Sequence, residues 1–98
     1  MQDLVGMRVE IRFRGPLAAK AGMQIFNMNL KDGTNLGEFL EILIESEEAV
    51  RGIWTDPEII DREALILRNG TDVGLTGGLT TVLEDDDRIL VLPLVHGG

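Results

Sequence analysis

Between Met7 and Arg14 the sequence changes character at every residue: Met7, Val9, Ile11 and Phe13 are apolar, while Arg8, Glu10, Arg12 and Arg14 are charged. A period of two puts successive side chains on opposite faces of an extended chain, whereas a helix would scatter these residues around its circumference. The segment is therefore a strand with one dry face and one wet face. A dry face has to be covered, so the rest of the chain must supply a layer to pack on it. A second alternating run sets Phe26, Met28 and Leu30 on one side. Gly15-Pro16 ends the first strand, and the small residues from Leu17 to Gly22 make the connection, which predicts an N-terminal hairpin.

The covering layer comes next. Lys31-Asp32-Gly33 is a turn, and Thr34 or Asn35 then stands where a side-chain oxygen can cap a helix by accepting from an orphan backbone N–H. With Asn35 as the cap, Glu38 completes a capping-box-like pair. Leu36, Phe39, Leu40, Leu43 and Ile44 fall at i, i+3, i+4, i+7 and i+8 and lay one apolar stripe against the sheet, while Glu38, Glu41, Glu45 and Glu48 face water. From Ser46 to Arg62 the periodicity is lost around Gly52 and Asp56-Pro57, so this stretch reads as a long connection with at most a short helical turn, anchored by Ile53, Trp54, Ile59 and Ile60. A single tryptophan in a small domain is expected to plug the edge of the core rather than to stack on a ligand. Ala64 to Arg68 is a third strand, and Asn69-Gly70 is a tight-turn signal leading to a short segment near Val73. Gly74 to Asp87 reads as a loop with Leu75, Leu79, Val82 and Leu83 as buried pegs. Arg88 to Val95 is a nearly continuous apolar run, which predicts a central strand covered on much of both faces. The order is β-β-α-β-(β)-β, and a length of 98 residues makes it one domain, 1–98. Residues 1–6 are expected to be a disordered N-terminus and residues 94–98 a flexible tail.

The residue inventory removes most chemistry from the chain itself. Seventeen Asp and Glu against nine Lys and Arg give a net charge of −8, which repels a phosphate backbone. No nucleic-acid partner is expected, and a basic protein surface suits the net charge better. Without cysteine the chain has no disulfide framework, thiolate metal site or thiol nucleophile. The one histidine, His96, lies two residues from the last, where no rigid scaffold orients it for catalysis. Glu84, Asp85, Asp86 and Asp87 lack the spacing of a calcium loop and read as a solvated turn that guards the apolar strand behind it, not as a metal site. Gly77-Gly78 has no phosphate-loop lysine after it and reads as a loop. No apolar run approaches a membrane span, and no basic and apolar leader pattern opens the sequence, so the expectation is no membrane and a cytoplasmic location.

Four segments carry a resemblance to known proteins. Leu30-Lys31-Asp32-Gly33-Thr34 enters the helix, Leu65-Ile66-Leu67-Arg68-Asn69-Gly70 forms a strand and turn, Thr81-Val82-Leu83-Glu84-Asp85-Asp86-Asp87-Arg88-Ile89 precedes the last strand, and Leu92-Pro93-Leu94-Val95-His96-Gly97-Gly98 closes the sequence. Joined to a hairpin and one long helix, they resemble the β-grasp, or ubiquitin-like, fold: α+β, with a mixed four- to five-stranded sheet packed on one main helix. Within it the chain is similar to the ubiquitin-like sulfur carriers and small modifiers: the small subunit of molybdopterin synthase, the thiamine-pathway sulfur carrier, the ubiquitin-related modifier and the small archaeal modifier proteins. The ending His96-Gly97-Gly98 looks most like the ubiquitin-related modifier, Pro93 resembles the molybdopterin-synthase carriers, and the long Ser46 to Arg62 connection resembles the larger ubiquitin-related modifiers.

Two terminal glycines lack Cβ atoms and can lie extended in a narrow channel, which offers the Gly98 carboxylate to another protein's active site. A carboxylate is a poor electrophile until its charge is neutralised and a leaving group attached. The resemblance implies that an E1-like adenylating enzyme does this with ATP and magnesium. A persulfide sulfur from a sulfurtransferase or cysteine desulfurase then leaves a thiocarboxylate for molybdopterin, thiamine or tRNA sulfur chemistry. On this reading the chain is no enzyme, binds no cofactor or metal of its own, and its further partners are a molybdopterin-synthase large subunit or target-protein lysines. Conjugation of Gly98 to lysines as a protein modifier is the alternative, and a non-covalent binding module with an incidental Gly-Gly is a third. Alternation sends Ile66, Ile89 and Val91 toward the helix and Leu65, Leu67, Leu90 and Leu92 to the opposite face, beside Arg8, Arg12 and Arg68. The expected partner-binding residues are Leu67, Leu90, Leu92, Leu94, Val95, His96 and Gly97, with the last four drawn into the partner as an extended strand.

Overall fold

The computed structural model describes residues 6–15 and 25–94. Strand β1 (Gly6–Phe13) pairs antiparallel with β2 (Ile25–Lys31), and its alternation is realised directly: Met7, Val9, Ile11 and Phe13 are buried and Arg8 and Arg12 are exposed. Phe26 and Leu30 of β2 join the same core, with Met28 packed against it. Helix α1 (Leu36–Ser46) begins with the capping box, Asn35 Oδ1 accepting from the Glu38 amide at 2.8 Å and Glu38 Oε1 accepting from the Asn35 amide at 3.0 Å. Its five stripe residues, Leu36, Phe39, Leu40, Leu43 and Ile44, are all buried.

The stretch after α1 is more ordered than its sequence suggests. It holds two short helices, α2 (Glu48–Arg51) and α3 (Pro57–Glu63). Asp56-Pro57 reads locally as a breaker, yet here Asp56 is the cap, its Oδ1 accepting from the Ile59 amide at 3.1 Å, and Pro57 occupies the first helical turn, where its missing N–H costs nothing. Val50, Pro57 and Ile60 are buried from this stretch. Trp54 is buried as an edge plug, tilted against Phe13 with ring centroids 6.4 Å apart, and its Nε1 donates to Glu63 Oε1 at 3.0 Å. Ile53 is not an anchor. The Trp54 amide reaches back to the Val50 carbonyl at 3.0 Å, and Val50 and Trp54 face the core together while Ile53 points to solvent.

Strand β3 (Ala64–Arg68), the Asn69-Gly70 turn and β4 (Thr71–Asp72) form a second hairpin, and both turn residues take the positive φ, 50° and 89°, that such turns need. Two three-residue 3-10 turns follow, Val73–Leu75 and Gly78–Thr80. Leu83 is buried and Leu79 packs against the core, but Leu75 is 80% exposed and Val82 is 55% exposed, contrary to expectation. Val82 lies in extended backbone between buried Thr81 and Leu83, so the same alternation that buries its neighbours turns it outward.

Strand β5 (Arg88–Pro93) is central in a five-stranded sheet of order β2-β1-β5-β3-β4, parallel to β1 and antiparallel to β3. This is the expected β-grasp. The core draws on all three helices and on the inward residues of the sheet, so the helical layer lies on one side only. Ile89 and Val91 are buried beneath it, while Leu90 and Leu92 are half-buried. Their continuous apolar run therefore reflects a centre strand with one covered face and one open face, not two covered faces.

Candidate functional site

The open face of the sheet is the first half of the site. Register places Leu90 opposite Leu67 and Leu92 opposite Leu65 on adjacent antiparallel strands, so the four leucines form one contiguous block rather than scattered exposures. All four are half-buried, and among the described residues no second layer lies over them. On the other side of β5 stands β1, with Arg12 in register with Leu90 and Glu10 with Arg88. Arg14 continues this row, its amide donating to the Val91 carbonyl at 3.2 Å. Arg12 Nε donates to Glu10 Oε2 at 2.7 Å.

Arg68 does not belong to this face. It shares the inward parity of Ala64 and Ile66, and at the end of β3 its guanidinium reaches the acidic turn, where Nε donates to Asp87 Oδ2 at 2.8 Å. Sequence alternation within β3 already gave that parity. The arginines that flank the leucines are instead Arg12, Arg14 and Arg88, which line a shallow groove of about 580 Å³ together with Asn69 and Leu90. Arg14 and Arg88 were missed, although each follows from extending the alternation by two residues from Arg12 or Leu90.

The acidic turn sets where β5 starts. Asp87 is buried and accepts from Arg68 Nε, from Asn69 Nδ2 at 2.8 Å and from the Glu84 amide at 2.8 Å. It is thus a fastening rather than a solvated charge. Asp85 Oδ1 accepts from the Arg8 amide at 2.8 Å, and the Asp86 amide donates to the Arg8 carbonyl at 2.8 Å, which ties the turn to β1. The Asn69 side chain accepts from the Arg88 amide at 2.9 Å. No group of acids and imidazoles among the described residues forms a metal site.

The second half of the site is the exit of β5. Val91 gives its carbonyl to Arg14 on the β1 side, and the Leu94 amide donates to the Glu63 carbonyl at 2.9 Å on the β3 side. Residue 93 therefore faces β1 just where β1 has ended, and a proline there removes no ladder bond. Leu94, 52% exposed, leads away from the sheet on the leucine side. Val95, His96, Gly97 and Gly98 lie outside the described residues, as do residues 1–5 and the 16–24 connection. Among the described residues, no helix is long and apolar enough to cross a membrane.

Comparison with known proteins adds lineage to this geometry. The family model described as the ThiS family matches residues 11–98. The chain is 26% identical over 92 residues to small archaeal modifier protein 3 of Haloferax volcanii, covering 94% of this chain and 100% of that protein. The solution structure of the Haloferax volcanii HVO 2177 protein superposes with a TM-score of 0.76 at 27% identity, covering 100% of this chain and 92% of that one. The complex of subunits 1 and 2 of the molybdopterin-converting factor from Helicobacter pylori contains a chain similar at 27% identity, with a TM-score of 0.59, covering 94% of this chain and 100% of that one.

Proposed function

Because the chain belongs to the ThiS family, among ubiquitin-like carriers and modifiers rather than enzymes, we propose that it is a sulfur carrier whose reactive group is the Gly98 carboxylate. An E1-like adenylating enzyme grips the open face of the sheet and threads residues 95–98 into its active site. There the carboxylate attacks the α-phosphate of magnesium-bound ATP, pyrophosphate leaves, and the acyl adenylate becomes the electrophile. The terminal sulfur of a persulfide on a sulfurtransferase or cysteine desulfurase then displaces AMP to give an acyl disulfide. A thiol attacks the donor-side sulfur of that S–S bond, so that the thiocarboxylate leaves and the thiol and donor sulfur remain joined as a disulfide. The partner supplies the catalytic groups and the cofactors. The observation that carries this reading is the block Leu65, Leu67, Leu90 and Leu92, open to solvent in a family member and continuous through Leu94 with the segment that ends in Gly97-Gly98.

The likeness to a small archaeal modifier protein favours a second reading, in which the same activated Gly98 acylates a target lysine. The Helicobacter pylori complex supports a molybdopterin-synthase large subunit as the acceptor-side partner, alongside thiamine or tRNA sulfur transfer. Every one of these outcomes passes through the adenylate. Deleting Gly98 is expected to abolish ATP-dependent adenylate formation by the activating enzyme while leaving the thermal midpoint unchanged, since a glycine has no side chain to bury and its loss removes little from a stability of roughly 5 to 15 kcal/mol. Adenylation of the shortened protein at the normal rate contradicts the proposal.

A further inference from the structure

Charge is distributed unevenly about the sheet. The groove beside the leucines is lined by Arg12, Arg14 and Arg88 against Glu10 and Asp86, a surplus of one positive charge, while the rest of the chain holds six Lys and Arg against fifteen Asp and Glu. The exposed side of α1 carries Glu38, Glu41 and Glu45 beside Ile42 and Ser46, and no basic residue. Within the groove Glu10 is already engaged by Arg12 at 2.7 Å, whereas Arg14 and Arg88 are exposed and have no carboxylate partner among the described residues. Arginine stems also cover apolar surface while keeping their guanidinium groups wet, and two such stems bordering a leucine block make one continuous amphipathic surface.

We propose that Arg14 and Arg88 form a docking site for a carboxylate-bearing edge of the partner that covers the leucines, and that this pair fixes the direction in which the partner lies across the sheet. The inference rests on the leucine face being the partner surface and adds the partner's chemistry. An acidic protein edge fits better than a nucleic acid. A few carboxylates can sit within the local positive patch, but an extended phosphate backbone must pass the surrounding acidic surface. The acidic helix side repels the same partner edge, so a partner bearing carboxylates is turned toward the sheet before contact is made.

The test has two arms on the full chain. In the first, hexaglutamate is titrated into isotope-labelled protein at low salt. The amides of Arg14, Asn69, Gly70 and Arg88 are expected to shift, those of α1 to stay, and added salt to reverse the shifts. Absence of these shifts, or larger shifts of the same amides with oligouridylate, overturns the proposal. In the second, R14E/R88E and L92D are compared with the parent for affinity to the cognate adenylating enzyme, with the thermal midpoint as a fold check. Charge reversal is expected to weaken binding roughly tenfold at low salt, mostly through a slower on-rate, with the gap closing as salt is added. Loss of binding in L92D with none in R14E/R88E overturns the arginine proposal and leaves the leucine face standing. Full binding by both variants overturns both. If the parent itself does not bind the enzyme, the functional reading fails, and the peptide titration decides the carboxylate site alone.

Discussion

The Asp87 carboxylate sits 4% exposed with three donors around it, Arg68 Nε, Asn69 Nδ2 and the Glu84 amide. Burying a charge is costly unless it is paired and hydrogen-bonded, and here both conditions hold. Removing the acceptor strands a partly buried guanidinium and two further donors. Asp87→Ala is therefore expected to cost about 3 kcal/mol of stability, whereas Asp86→Asn, one residue earlier on an exposed turn, stays within roughly 0.5 kcal/mol. Denaturant unfolding of the two variants checks the contrast. Equal losses would mean that the run of acids acts only through its summed charge. The second contact of Arg68, at 3.7 Å to the exposed Glu84, adds little.

At the scale of elements, period was the legible quantity. The clean alternation of β1, the stripe of α1 and the turn chemistry of Asn69-Gly70 each predict what the structure contains, because in each the local preference and the global fold agree. What was illegible follows from the same physics. Helices of four and seven residues, α2 and α3, are too short for a hydrophobic stripe to repeat, and the only local signal, Asp56-Pro57, has an equal reading as a turn. Leu75 misled because an apolar residue in irregular backbone carries no period to say which way it points, and Val82 because its alternation with Thr81 and Leu83 spans too few residues to be read. The strand β5 reads as covered on both faces because leucines that await a partner are indistinguishable in sequence from leucines already buried by the fold. The candidate site was half legible: register placed Leu65, Leu67, Leu90 and Leu92 correctly, whereas Arg68 was set on the wrong face and Arg14 and Arg88 were overlooked. Neighbouring positions on β5 turn this into a test. Leu92→Asp, on the open face, is expected to weaken binding of the activating enzyme by about 1 to 3 kcal/mol while costing under about 1 kcal/mol of stability, and Val91→Asp, at 0% exposure, is expected to unfold the domain. Partner affinity and the thermal midpoint, read on both variants, check it. A comparable loss of midpoint in Leu92→Asp would place that side chain in the core.

For the whole molecule, net charge averages over an uneven surface. A value of −8 suggests a basic binding surface, but the acids crowd the helical side and the acidic turn, while three of nine cations line the groove on the open face of the sheet. A partner meets a surface rather than an average. The division between a closed helical side and an open sheet side also divides labour under the proposed function: one layer stabilises the domain, and the other is the surface assigned to the protein that works on the tail. The end proposed to react follows the last strand, whose position is fixed at its start by Asp87 and Asn69. The most direct test of this account is the intact mass of the protein after incubation with its adenylating enzyme, ATP, magnesium, a persulfide donor and a thiol to cleave the acyl disulfide. The account predicts the mass increase of one oxygen-to-sulfur exchange, located by fragmentation at Gly98 and absent without ATP. An unchanged mass, in a reaction where the enzyme demonstrably consumes ATP with the protein present, would contradict it, and a Gly-Gly remnant on target lysines in its place would assign the activated tail to conjugation.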